Sequence, residues 1–258
     1  MTQVLKFETV ARNAMAALFE GKLGIQLGVD ECLYEYTKEG KVVGHCAIGS
    51  SLNEATMNAM RSPFVGEGPD MMEQPLSYLW INTISASDED KPKLAKLQSY
   101  HDCLVTSDTP VEVKVEKMRD YLRGVLGTQV ITWEEFLKAN KEALFDGRLA
   151  LMHEEYEECS YTYEGSKARC AVGTVLTDDT IMKMDSSAAD EDNMKNCPIT
   201  GDVVAMLEKR GFVAFENDRV RDRIILLQKM HDTLLQNSVL STSDKRMMFE
   251  SLLQEVEY

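Results

Sequence analysis

The chain has 258 residues, 44% of them apolar, and a formal net charge of −15. The apolar fraction excludes disorder as the main state, and the charge argues against direct binding to nucleic-acid phosphates or to an anionic membrane, since both repel it. Six cysteines are too sparse for a disulfide scaffold and lack the C-x-x-C spacing of a zinc site, so no structural metal is expected.

In chain order, Phe7, Val10, Ala14, Ala17 and Leu18 recur at spacings of three and four and predict an amphipathic helix. Gly21 follows where a helix C-terminus wants a residue free to take positive φ. Cys32-Leu33-Tyr34-Glu35-Tyr36, a turn at Glu39-Gly40 and Val42 to Cys46 read as a β-hairpin, in a register that sets Cys32 nearly opposite Cys46. A buried pair of free thiols is expected there rather than a disulfide.

Cys46 to Met57 reads as helical, and Gly49 within it suggests a close backbone approach. Residues 61–75 form a turn-rich loop bearing Phe64, Glu67, Asp70, Met71 and Met72. A helix carrying Leu94, Leu97, Gln98 and Tyr100 then leads to His101-Asp102, and Thr109-Pro110 starts another.

The order then repeats. Ala17-Leu18-Phe19-Glu20-Gly21 returns as Ala143-Leu144-Phe145-Asp146-Gly147, Cys46-Ala47-Ile48-Gly49 as Cys170-Ala171-Val172-Gly173, and Leu97-Gln98 with His101-Asp102 as Leu227-Gln228 with His231-Asp232, at offsets of 124 to 130 residues. A second hairpin is expected from Cys159 to Cys170. A period this long implies two copies of a whole domain. The expected fold is therefore α+β, mostly helical and pseudo-two-fold: a tandem duplication of a helix, β-hairpin and helical domain, with repeats at 1–127 and 128–258. The loops differ most between copies, and that at 184–198 is acidic, with Asp185, Asp190, Glu191 and Asp192. These residues and Phe64, Glu67, Asp70, Met71 and Met72 are the expected partner-binding positions, because a scaffold tolerates change in its loops.

Two constellations invite a catalytic reading: the His-Asp pairs, as in metal-dependent phosphohydrolases, and Cys46 with His101 and Asp102 or Cys170 with His231 and Asp232 as nucleophile sites. The further ligands of a phosphohydrolase are missing, since His45 and His153 do not recur between the copies. Adjacent helical residues point about 100° apart, so the aspartate is not expected to orient its neighbouring imidazole. The expectation is instead that Asp102 and Asp232 bond backbone where their helices end, with His101 and His231 partly exposed. No G-x-G-x-x-G or Walker loop occurs, and no cofactor is expected.

The elements A-L-x-x-G, C-x-x-G-x-x-L and L-x-x-x-[N/H]-D, carried by Ala17, Leu18, Gly21, Cys46, Gly49, Leu52, Leu97 and Asp102 and again by Ala143, Leu144, Gly147, Cys170, Gly173, Leu176, Leu227 and Asp232, resemble a family of uncharacterised small proteins frequent in bacteriophage and bacterial genomes. That family shows asparagine where this chain has His101 and His231. The resemblance implies a viral or mobile-element origin and carries no activity.

The expected function is that of an acidic viral accessory protein that binds a host protein, one with a basic nucleic-acid-binding groove, and inhibits or recruits it, as in anti-defence. Two alternatives stand beside it: a binder of a nucleotide-like small molecule in a pocket between the repeats, and a hydrolase using the Cys, His and Asp residues. No run reaches the ~18 apolar residues of a membrane helix and no secretory signal is visible, so a cytoplasmic location is expected, in the host cell if viral.

Overall fold

The computed structural model describes residues 2–29, 31–61, 76–153, 168–187 and 202–255. It divides into two compact units, Met1–Gly127 with Lys209–Gly211, and Thr128–Glu208 with Phe212–Tyr258. Both are mostly helical with very small sheets.

The first unit starts with β1 (Gln3–Val4) and α1 (Phe7–Phe19). The periodic residues Val10, Ala14, Ala17 and Leu18 are buried as their spacing predicts. The helix ends at Gly21, whose φ of 69° lets the Lys22 N–H turn back to the Ala17 carbonyl at 2.8 Å. Strands β2 (Glu35–Lys38) and β3 (Lys41–His45) form the expected hairpin. Its turn, Glu39-Gly40, takes positive φ at both residues, 53° and 74°, matching the twist of a two-residue hairpin loop.

A tight turn with one short 3-10 segment at Gly49–Ser51 follows, then α2 (Glu54–Arg61), α3 (Leu76–Asn82), β4 (Ile84–Ser85), α4 (Asp90–Val105) and α5 (Val111–Leu126). β1 pairs in parallel with β4. The core gathers Val10, Met15, Ile48, Leu94, Leu97 and Met118 from α1, the turn, α4 and α5.

The second unit comprises β5 (Gln129–Ile131), α6 (Trp133–Phe145), α7 (Asp178–Ser187), α8 (Asp202–Lys209), β6 (Val213–Phe215), α9 (Asp218–Gln236) and α10 (Thr242–Glu255). Here β5 pairs in parallel with β6. Thr132 and Glu135 close a reciprocal capping box at the start of α6, and Asn217 caps α9 through the Val220 N–H. Gly147 again ends its helix at positive φ, 68°. Asn140, the polar break in the apolar stripe of α6, is buried and donates to the carbonyls of Phe136 and Ala171.

Three expectations are corrected. The stretch from Cys46 to Met57 is not one helix. It is a turn followed by a short helix, because Gly49 must pack against backbone: a Cβ there would lie 1.8 Å from the Tyr34 carbonyl oxygen.

The hairpin register places Tyr34, not Cys32, opposite Cys46, with the Cys46 N–H 3.4 Å from the Tyr34 oxygen. Cys32 precedes the strand, its thiol instead approaches the Asp102 carbonyl at 3.9 Å, and both cysteines are free. Finally, the His-Asp pairs do not mark helix ends. α4 runs on to Val105 and α9 to Gln236, so both pairs sit inside helices and both imidazoles are fully buried. The second expected hairpin, with Cys159, lies outside the described residues except for its last positions.

Candidate functional site

The side chain that organises the first unit is Gln98, one helical turn before Asp102 on α4. Its Oε1 accepts the Ile48 N–H at 3.0 Å, and its Nε2 donates to Asp102 Oδ1 at 2.6 Å. The backbone bond fixes the amide orientation, since only the carbonyl end can accept.

His101 Nδ1 lies 3.0 Å from the same Asp102 oxygen. An ionised carboxylate only accepts, so Nδ1 carries the proton. His101 Nε2 is buried and has no hydrogen-bond partner among the described residues. The aspartate does orient the adjacent imidazole, contrary to the angular argument: its short side chain folds along the helix surface toward Gln98, which draws Oδ1 into reach of both groups.

The same contacts occur in the second unit. Gln228 Oε1 accepts the Val172 N–H at 2.8 Å, Gln228 Nε2 donates to Asp232 Oδ1 at 2.6 Å, and His231 Nδ1 lies 3.2 Å from that oxygen. His231 also meets the Phe249 ring edge-on at 5.6 Å between centroids.

The cysteines belong to the same arrangement. Cys46 Sγ accepts the Gly49 N–H and Cys170 Sγ the Gly173 N–H, each at 3.2 Å. Ser50 and Thr174 hydroxyls close the two turns on the carbonyls of Ala47 and Ala171, each at 2.7 Å. Each cysteine thus seeds a tight turn, and the glutamine ties that turn to the long helix. Burial pushes the Cys46 thiol up to about 12, and the negative charge of Asp102 adds to the effect. At neutral pH this thiol is protonated and a poor nucleophile.

In the first unit the arrangement opens on a cleft of about 470 Å³, lined by Cys32, Tyr34, Leu76, Gln98, Asp102 and Cys103 among others. Burial, followed by the charge of Asp102, also pushes the Cys32 thiol up to about 12. Tyr34 and Tyr36 are each only 4% exposed, so the hairpin tyrosines serve the core, with Tyr34 also reaching the cleft wall. Elsewhere, His45 is half-buried and His153 Nε2 meets the Gly147 carbonyl at 3.0 Å.

The structure therefore brings Cys46, His101 and Asp102 into one neighbourhood, and it links Cys170, His231 and Asp232 through Gln228. Of the expected partner-binding residues, Asp185 falls on α7, while Phe64, Glu67, Asp70, Met71, Met72, Asp190, Glu191 and Asp192 lie outside the described residues. The glutamines are the participants that residue chemistry alone did not single out. Their signal was present: Gln stands four residues before Asp in both units. Among the described residues no group of three or more His, Cys, Asp or Glu is placed to hold a metal ion, and no helix is long and apolar enough to cross a membrane. Comparison with family models, with curated proteins and with solved structures finds no match.

Proposed function

We propose that this chain is an acidic accessory protein of viral, phage type that acts by binding, and that its two units descend from a tandem duplication with pseudo-two-fold character. One observation carries the reading: in both units the most reactive side chains hydrogen-bond to one another and to backbone, as parts of the scaffold. The Cys46 thiol, held protonated by burial, belongs to that scaffold.

With a net charge of −15, the surface complements a basic partner. The partner is a host protein with a basic nucleic-acid-binding groove, which the chain inhibits or recruits in the host cytoplasm, as in anti-defence. The segments 61–75 and 184–198 supply the contacts. The test is affinity capture from host lysate at low and high salt, together with deletion of the gene in a defended host. A salt-sensitive partner and a growth defect are expected; no partner together with unchanged growth overturns the reading.

The cleft of the first unit favours a second reading, a small-molecule binder. Its charged wall is a carboxylate, which repels the phosphates of a nucleotide-like ligand.

A further inference from the structure

Asp102 carries more charge than its bonds require. Oδ1 takes both available donors, Gln98 and His101, and asparagine would accept the same two bonds with one oxygen and no charge. Oδ2 has no hydrogen-bond partner among the described residues, and the side chain is 35% exposed on the cleft wall. No Lys or Arg stands among the described residues lining the cleft. The carboxylate therefore faces a space bounded by a tyrosine, three thiols, Leu76 and Ala95, with no counter-charge among the described lining residues.

The second unit shows the same surplus independently. Asp232 gives Oδ1 to Gln228 and His231, while its Oδ2 is buried with no hydrogen-bond partner among the described residues. Twice, then, the scaffold employs one carboxylate oxygen and leaves the other.

We propose that the cleft of the first unit binds an organic cation, a primary ammonium or guanidinium group on a short aliphatic stem. The head is held by Asp102 Oδ2, and the stem lies along Leu76 and Ala95. A volume of about 470 Å³ falls within the range of small-ligand sites and far exceeds a bare ion. The mixed wall suits methylenes ending in one positive charge. This inference is independent of the host-protein reading. The cation has two sources, a free amine or a lysine or arginine side chain of a bound protein, and the chemistry at Asp102 is the same for both.

The test is calorimetric titration of the full chain with n-butylamine and n-butylguanidine in one arm and Nα-acetyl-lysine amide, its side-chain ammonium free, in the other. Butanol and butyrate serve as uncharged and anionic controls. Binding in either arm but not to the controls is expected, and the tighter arm identifies the source. Asp102→Asn keeps the bonds to Gln98 and His101 and should weaken binding about ten- to a hundredfold, the effect of losing one charge-assisted bond. Ser99→Trp, at an exposed cleft position on α4, should block binding while leaving the charge in place, and it decides the matter if Asp102→Asn fails to fold. No heat in either arm, or undiminished binding in the variants, overturns the proposal.

Discussion

At the scale of single residues, the cysteines separate by environment. Cys46 and Cys170 are buried, whereas Cys103 is exposed. Iodoacetamide at pH 8 should label Cys103 rapidly and leave Cys46 and Cys170 unmodified until the protein is unfolded, as peptide mass spectrometry would show. Early labelling of Cys46 would contradict the protonated, buried thiol. His45 supplies the pH dependence. Burial holds it below the usual histidine range, and its Nδ1 has no hydrogen-bond partner among the described residues. The unfolded chain therefore takes up a proton first as pH falls below about 6.5, so stability falls with pH from that point down to the depressed folded value. In urea titrations His45→Gln should flatten this slope. Residue chemistry in the sequence exposed the His-Asp pairs but misjudged them, because an angle between neighbouring Cα–Cβ bonds does not fix where a short carboxylate goes once Gln98 pulls on it.

At the scale of elements, what was legible followed periodicity and backbone freedom. α1, α6, the first hairpin and the glycine stops at Gly21 and Gly147 all rest on local rules. The parallel pairs β1 with β4 and β5 with β6 were not legible, since strands of two or three residues are too short for an alternation to appear. Gly49 and Gly21 show how differently two glycines act. A side chain at Gly49 would collide with the Tyr34 backbone, while at Gly21 nothing lies within 4 Å and only positive φ opposes substitution. Gly49→Ala should therefore cost about 3 kcal/mol or more, because backbone must move, and Gly21→Ala about 1 kcal/mol. Chemical denaturation of both variants measures the contrast. Cutting the tie between turn and helix, Gln98→Ala or Gln228→Ala, strands a buried backbone N–H and should cost about 1–3 kcal/mol each. If both glutamine variants match the parent in stability, these networks do not hold the turns.

At the scale of the whole molecule, the sequence shows what recurs, and the structure shows what the recurring residues are for. Ala17, Gly21, Cys46, Gly49 and Leu97 and their later counterparts form turns, stops and core contacts, so their repetition marks scaffold. What does not recur is the composition of segments 61–75 and 184–198, and these carry the proposed binding to a host protein. An acidic chain that occupies a nucleic-acid groove competes with the nucleic acid itself, and its competition is electrostatic on both sides. Once a partner is captured, rising concentrations of this protein should displace labelled nucleic acid from it in a band-shift assay, and raising salt from 50 to about 300 mM should weaken both associations. Replacing Asp190, Glu191 and Asp192 with the corresponding amides should reduce displacement several-fold, since each change removes one negative charge. A ternary complex, with nucleic acid still bound, would place the contact elsewhere on the partner and remove the groove from the proposal.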